Sequence, residues 1–240
     1  MFVIPCKFSK VHNYVIQLVK DIRQHHPSER IVVVDSDSED RSYFPEITPY
    51  GVIIEDIHNR MYGIGAFWHC YRKFSEEQYY YVLHDTMRVK ANLDSFKGKD
   101  LTIIATFNRM VSTSFNKFSD KINADTQYKY KHEGKGVMGP IFMLKRTLAD
   151  KLAAKGFDKI VPTNKAECGC MEGAMGFVFE AEGYDVEKCS LYGDILALES
   201  PGGRSGPYPH NTSWQHPIEK FYASRPTKDK YIATEQYARL

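Results

Sequence analysis

Short apolar runs recur along the first half of the chain and alternate with stretches of helical periodicity. Continuous runs of this kind, rich in β-branched and aromatic residues, are typical of strands that are buried on both faces of a sheet. The sequence therefore predicts strands at FVIP (2–5), IVVVD (31–35), GVIIED (51–56), YYYVLHD (79–85) and LTIIATF (101–107).

The segment between the first two runs, residues 11–26, predicts an amphipathic helix because its apolar side chains follow three- and four-residue steps. A second helix is predicted over residues 63–74, before the fourth run. Strands that alternate with helices predict an α/β fold with a mainly parallel, Rossmann-like central sheet and helices on both faces. The chain length of 240 residues fits a single domain.

The second half of the chain begins with a polar and basic segment, residues 108–136, which predicts a mobile surface loop. A strand is predicted over residues 139–146, followed by helices over residues 148–156 and 170–183. The tail from Ser200 is rich in turn-forming residues and predicts little regular structure.

The composition narrows the classes of function. Lys and Arg total 32 against 30 Asp and Glu, and the net charge of +2 is far from the basic balance of a nucleic-acid-binding protein. The N-terminus does not resemble a signal peptide, and no run reaches the ~18 apolar residues that a transmembrane helix needs. The five cysteines are expected to be reduced thiols, which favours the cytoplasm.

Acidic side chains follow two of the predicted strands at the point where each strand ends. Asp35 and Asp37 close the second run, and Asp85 stands between His84 and Thr86 after the fourth. Because open parallel sheets bind ligands outside the carboxyl ends of their strands, we expect these acids to share one ligand. An acid after the second strand can accept hydrogen bonds from ribose hydroxyls or from a base.

The loop after the first strand, PCKFSKVHN, contains neither of the glycine-rich motifs that cradle phosphates. A divalent cation held by a carboxylate can bind a diphosphate instead, and Asp85 is the expected ligand of Mg²⁺ or Mn²⁺. The other interpretation is that Asp85 caps the following turn or helix. Pro5 and Lys7, at the end of the first strand, are further candidate contacts of a nucleotide.

Four segments, VVVDSDSED, YYYVLHDT, GPIFMLKR and CMEGAMGFVFEAEG, resemble in their order the GT-A glycosyltransferases, especially the small enzymes of large algal viruses. The resemblance covers roughly residues 1–190. It implies a GT-A-like fold, a nucleotide-diphosphate sugar as donor and Mn²⁺ or Mg²⁺ as cofactor.

By this resemblance the HDT segment takes the place of the family's DxD motif. Asp85 would contact the metal and the diphosphate, and Asp35 or Asp37 would face the nucleoside. His84 and Thr86 replace the two acids of the motif, so a further metal ligand is expected. The family often returns a C-terminal histidine to the metal, and the candidates here are His210 and His216.

The resemblance also implies a catalytic base near the acceptor. Glu172, which is predicted near the start of its helix, matches the acid that takes the proton of the acceptor hydroxyl in inverting members. The other interpretation is that Glu172 only stabilises the helix N-terminus through the macrodipole. Gly173 follows where the family usually carries an acidic or basic residue, so Glu167 is the substitute candidate.

Basic side chains are candidates for contact with the diphosphate. Arg60 lies between a predicted strand and helix, and Lys7 follows the first strand. The basic loop adds Lys129, Lys131 and Lys135, although lysines on polar loops are usually solvated.

The sequence predicts a metal-dependent, inverting glycosyltransferase that moves a sugar from a nucleotide-diphosphate sugar to a glycan hydroxyl. Residues 1–107 would bind the nucleotide sugar, residues 108–199 the acceptor, and residues 200–240 would form a C-terminal tail. The alternatives are a nucleotidyltransferase and a non-catalytic module that binds a nucleotide or a carbohydrate.

Overall fold

The computed structural model describes residues 1–8, 14–57, 62–108, 113–130, 135–162, 165–193, 206–208 and 217–222, and every statement of structure below concerns these residues. The helices are α1 (Val15–His25), α2 (Phe44–Ile47), α3 (Tyr62–Lys73), α4 (Thr113–Asp125), α5 (Arg146–Ala154) and α6 (Lys165–Ala181). The strands are β1 (Phe2–Cys6), β2 (Ile31–Asp35), β3 (Val52–Asp56), β4 (Tyr79–Val82), β5 (Met87–Val89), β6 (Leu101–Ile103), β7 (Thr106–Asn108), β8 (Lys135–Val137), β9 (Phe142–Lys145), β10 (Gly206–Tyr208) and β11 (Ile218–Tyr222). Short 3-10 helices cover Thr48–Tyr50, Asp94–Gly98 and Phe157–Lys159.

The central sheet has six strands in the order β3-β2-β1-β4-β9-β6. The first four strands are parallel to one another, and β9 runs antiparallel between β4 and β6. Cys6 on β1 stands opposite Asp35 on β2, so these two strands end at the same edge. The predicted mainly parallel α/β sheet is confirmed.

Helices cover both faces of this sheet because side chains of each buried strand alternate between two hydrophobic cores. Val3 and its neighbours on one face pack with residues of α3, α4, α5 and α6, including Phe67. Phe2 and Ile4 face the other side and pack with α1, including Leu18. The prediction of helices on both faces is therefore confirmed.

The run at residues 101–107 forms two strands instead of the one that was predicted. After β6 the chain leaves the central sheet at Ile104, whose amide donates to the carbonyl oxygen of Ile141 at 3.4 Å. Strand β7 then pairs with β8 in a separate two-stranded sheet, with Phe107 opposite Gly136.

The prediction of a loop over residues 108–136 is wrong between Thr113 and Asp125, where helix α4 forms. Its buried Phe118 and Ile122 are four residues apart and contribute to the core against α6. The tyrosines that follow, Tyr128 and Tyr130, are also buried. The segment is polar on average, so the short apolar stripe that stabilises the helix was not recognised from the sequence.

The tail from Ser200 was predicted to have little regular structure, and among its described residues it contributes β10 and β11. Strand β11 pairs antiparallel with β5, with Ile218 opposite Val89. The amide of Lys90 also donates to the carbonyl oxygen of Pro217 at 2.7 Å. The tail therefore docks on the strand that directly follows the HDT segment.

All five cysteines are free thiols, as the sequence predicts. Among the helices that are described, none combines the length and the apolar character that crossing a bilayer requires.

Candidate active site

The candidate site lies where the carboxyl ends of β1, β2 and β4 meet. The connection through α1 leads from β1 to β2, whereas α3 leads to β4 on the opposite side of β1. Strand order therefore reverses at β1, and a crevice opens at such a switch point in open α/β sheets. The amide of Lys7 donates to Oδ2 of Asp85 at 3.3 Å across this point.

Asp85 is half-buried and is fixed through its main chain as well as its side chain. Its carbonyl oxygen accepts a 3.0 Å hydrogen bond from the amide of Tyr14, the residue that precedes α1. The loop after β1 and the turn after β4 are thus connected at both the carboxylate and the carbonyl oxygen of Asp85.

An ion pair between a buried aspartate and a half-buried arginine, which the sequence analysis missed, supports the same turn. Asp21 on α1 is 4% exposed and forms a bidentate pair with the guanidinium of Arg88 on β5. It also accepts the amide of Val89 at 3.3 Å. Asp21 lies among the apolar positions of the predicted amphipathic helix, and an acid at such a position could have indicated a buried contact.

The two aspartates after β2 have different environments. Asp35 is fully buried, and its carboxylate accepts hydrogen bonds from the amide of Ser38 at 2.9 Å and from the hydroxyl of Tyr43 at 2.7 Å. Burial is the main cause that raises the pKa of the Tyr43 hydroxyl above its usual value, and Cys6 and Asp35 add to it. Asp35 therefore holds the turn together from inside the protein.

Asp37, in contrast, is half-buried and has a φ of 59°. Aspartate tolerates this left-handed region better than most residues, and such a conformation is frequent at ligand-binding turns. The neighbouring Ser38 hydroxyl oxygen accepts the amide of Phe8 at 2.7 Å, which ties this turn to the end of β1. Of the two acids, Asp37 is the one with exposed surface at the edge of the sheet.

His84, which follows β4, lies against the turn that precedes β9. A Cβ atom built on Gly139 would lie 3.0 Å from Cε1 of His84, and one built on Gly63 would lie 3.4 Å from its Nε2. The imidazole therefore packs directly against two glycines, one at the start of α3 and one in the turn after β8. Gly139 has a φ of +56°, which favours glycine at this position.

Glu172 lies within α6 and not near its start, because the helix begins at Lys165. The macrodipole acts over the first turn, so it does not explain an acid about two turns into the helix. Glu172 is half-buried, and its Oε1 accepts the amide of Gly139 at 3.1 Å. Glu167 occupies the first turn of α6 and fits the macrodipole role instead.

These contacts form one continuous series from the carboxyl end of β1 to Glu172. The amide of Lys7 donates to the Asp85 carboxylate. His84 precedes Asp85 in the chain and packs on Gly139. The amide of Gly139 in turn donates to the Glu172 carboxylate. Sequence reasoning missed Gly139 because only the folded chain brings it between these residues.

The remaining candidates occupy less direct positions. Pro5 is buried within β1 opposite Val34, and Thr86 is half-buried in the turn between β4 and β5. Lys135 forms an ion pair with Glu187, and Lys129 is exposed. The other predicted residues, Arg60, Lys131, His210 and His216, lie outside the described residues.

The described residues contain no cluster of three histidine, cysteine or acidic side chains that would form a preformed metal site. They do offer the half-buried carboxylate of Asp85 at the switch point. Mg²⁺ commonly binds through one or two carboxylates together with substrate phosphates and water. A single aspartate therefore fits a cation that arrives with a diphosphate.

Comparisons with known proteins give structural likenesses only. No protein-family model matches the sequence, and no curated protein matches it. S. aureus TarS 1–349 matches at a TM-score of 0.43 and 13% identity over 73% of this chain and 55% of that chain. The same segment in complex with UDP matches at 0.42 and 10%, over 73% and 54%.

A further S. aureus TarS structure matches at a TM-score of 0.41 and 11% identity, over 73% of this chain and 33% of that one. The chain thus spans about half of the TarS 1–349 structures. At these TM-scores and identities the likenesses decide neither the family nor the activity.

Proposed function

We propose that the protein is a glycosyltransferase that moves a sugar from a nucleotide-diphosphate sugar to a hydroxyl of a glycan. The observation that carries the proposal is the series of contacts that links Asp85, through the neighbouring His84 and Gly139, to Glu172. The resemblance of the sequence segments to GT-A glycosyltransferases supports the same activity.

On the donor side, the nucleoside would bind at the carboxyl end of β2 beside Asp37. A half-buried carboxylate at this place can accept hydrogen bonds from the base or the ribose. Asp35 would act indirectly, since its hydrogen bonds to Ser38 and Tyr43 hold the turn that presents Asp37. The main-chain amide and the exposed side chain of Lys7 lie where the diphosphate would pass.

Asp85 would hold a divalent cation, Mn²⁺ or Mg²⁺, together with oxygens of the diphosphate. When it is bound, the cation would offset the negative charge of the leaving nucleoside diphosphate. Binding of this kind needs the nucleotide and the cation together, because one carboxylate alone is a weak site.

On the acceptor side, Glu172 would be the general base. The acceptor hydroxyl would transfer its proton to the Glu172 carboxylate while its oxygen forms a bond to the anomeric carbon. The bond between that carbon and the diphosphate oxygen would break, and the nucleoside diphosphate would leave with the electron pair. A single displacement of this kind inverts the anomeric configuration.

Different parts of the chain would bind the nucleotide sugar and the acceptor. Residues 1–107 would supply the nucleotide-sugar side and residues 108–199 the acceptor side with Glu172, and the tail after residue 200 would support the donor turn through the pairing of β11 with β5. The free thiols fit a reducing compartment such as the cytoplasm, or the host cytoplasm for a viral protein.

The experiment that tests the proposal is a transfer assay with defined products. Purified protein is incubated with Mn²⁺, a panel of nucleotide sugars and a mixture of glycans, and the products are identified by mass spectrometry. We expect one donor to give a glycan that is heavier by one sugar, with the inverted anomeric configuration in its NMR spectrum. Nucleotide binding without transfer would contradict an enzymatic role and favour a binding module.

A further inference from the structure

His84 lies next to Asp85 and contacts residues that its place in the sequence does not predict. Its imidazole lies between the start of α3 and the turn before β9, against Gly63 and Gly139. A Cβ atom on Gly63 would also lie 2.4 Å from Cγ of Pro140, so the helix and the turn pack closely around the ring. There is little room for the ring to move toward either glycine.

The main chain of His84 is fixed as well. Its amide donates to Sδ of Met87 at 3.4 Å, and its carbonyl oxygen accepts the amide of Met87 at 3.2 Å. These contacts close the turn that carries Asp85. The ring of His84 therefore has a defined position relative to Asp85.

The glycine that the ring contacts is the one that orients Glu172. Gly139 donates its amide to Oε1 of Glu172 at 3.1 Å, and the preceding residue, Met138, donates its own amide to the carbonyl oxygen of Ala105 at 2.9 Å. A shift of Gly139 toward His84 would move the hydrogen bond to Glu172 by a similar distance. Reactions of this class are sensitive to such shifts, since a misplacement of ~1 Å can lower a rate by about 10²-fold.

We propose that His84 is a positioning residue that sets the separation between Asp85 and the Glu172 carboxylate by packing against Gly139. The inference rests on the proposed function and deepens it by linking the donor side to the candidate base. It predicts that His84 acts through the volume of its ring and not as a ligand of the donor. A flat ring that fills the same volume should therefore restore most of kcat.

The test uses His84→Ala, His84→Phe, Gly139→Ala and the His84→Ala/Gly139→Ala double variant in the full chain. We expect His84→Ala to lower kcat by about 10²-fold at saturating donor and acceptor, with an unchanged donor Kd. His84→Phe should restore most of kcat. His69→Ala is the matched control, because His69 contacts Glu55 on the edge strand β3, and its kcat should equal that of the wild type.

The double variant tests the contact itself and does not depend on how well phenylalanine fits. The new methyl group at Gly139 would lie 3.0 Å from the His84 ring in the wild type and loses this close contact once the ring is removed, whereas the strain of its φ of +56° is the same in both backgrounds. Gly139→Ala should therefore reduce kcat less in the His84→Ala background than in the wild type. Independent, multiplying effects of the two substitutions would contradict the contact.

The outcomes separate the inference from the proposed function. If the wild type transfers sugar and His84→Ala loses donor binding in parallel with kcat, His84 is a donor ligand, and the inference alone is wrong. If the wild type neither binds UDP, GDP, ADP or CDP in the presence of Mn²⁺ nor transfers sugar, the proposed function is wrong and the inference falls with it.

Discussion

The amide of Gly139 donates a 3.1 Å hydrogen bond to Oε1 of Glu172, a residue 33 positions later in the chain. This bond holds a half-buried carboxylate beside a turn that also contacts His84. Glu172 is therefore placed by tertiary contacts, whereas an acid that only stabilised a helix end would lie in the first turn.

The substitution Glu172→Gln should lower sugar transfer by about 10²- to 10⁴-fold, the usual contribution of a general base. Glutamine keeps an oxygen that can accept the Gly139 amide, but it cannot accept the proton of the acceptor. Nucleotide binding should remain unchanged. The measurement is kcat together with the Kd of the nucleoside diphosphate.

Glu180→Gln is the control for this substitution, because Glu180 is exposed on the same helix and should be neutral. Glu167→Gln tests the competing assignment. If Glu167→Gln abolishes transfer while Glu172→Gln does not, the base has been assigned to the wrong residue.

The sequence predicted the central sheet well because its strands are buried runs whose pattern is local. Strands β1 to β4 and helix α1 follow directly from such patterns. Helix α4 was missed because its buried residues Phe118 and Ile122 lie within a segment that is polar on average.

The candidate site was predicted less completely than the sheet. The strand-end position of Asp85 followed from the alternation of strands and helices, but the burial of Asp35 depends on Ser38 and Tyr43 folding over it. The link through Gly139 joins segments that are distant along the chain. No local pattern encodes a contact of that kind.

The substitution Tyr43→Phe should destabilise the protein by ~1–3 kcal/mol, because it removes the hydroxyl that donates to the buried Asp35 carboxylate. The phenyl ring keeps the stacking on Phe8, whose centroid lies 4.7 Å away. The free energy of unfolding in urea measures the effect. Tyr50→Phe, in the neighbouring 3-10 helix, is the control and should change stability by less than about 0.5 kcal/mol. Equal effects of the two substitutions would mean that the hydrogen bond from Tyr43 to Asp35 contributes little to the free energy of unfolding.

The substitution Gly176→Ala should destabilise the packing of α6 on β8. A Cβ atom at Gly176 would lie 1.9 Å from the carbonyl oxygen of Lys135, so the backbone must shift, at a cost of ~1–3 kcal/mol or more. Gly169 lies in the same helix, and a Cβ atom there would meet nothing within 4 Å. Gly169→Ala should therefore stabilise the protein by up to about 1 kcal/mol. Urea midpoints that move in the same direction for both variants would contradict this packing.

The stability of the protein should depend on the protonation of His26. Burial lowers the pKa of this histidine, although the carboxylates of Asp94 and Glu29 oppose that effect; Lys97 and His25 lower it further. Its Nε2 accepts the amide of Leu93 at 3.0 Å, which requires an unprotonated nitrogen. In the unfolded chain the pKa returns to about 6.5.

Between these two pKa values the unfolded state binds more protons than the folded state. The contribution of neutral His26 to the free energy of unfolding is therefore fully present above the unfolded pKa. It is lost as the pH falls from there toward the lowered folded pKa. Urea unfolding at about pH 7.5 and about pH 5.5 should show a larger loss of stability for the wild type than for His26→Gln. Equal losses would exclude His26 as the source.

The most direct test of the central claim, that a nucleoside diphosphate binds at Asp85, is a thermal-shift comparison of the wild type with Asp85→Asn. UDP, GDP, ADP and CDP are each added with and without Mn²⁺, and Asp120→Asn, an exposed residue of α4, is the matched control. A ligand that binds only the folded state stabilises it by about 2.7 kcal/mol at 100 times its Kd. We expect at least one diphosphate to raise the Tm of the wild type and the control only with Mn²⁺, and Asp85→Asn to abolish this shift. An equal shift in Asp85→Asn, or no shift of the wild type with any of the four, would contradict the account.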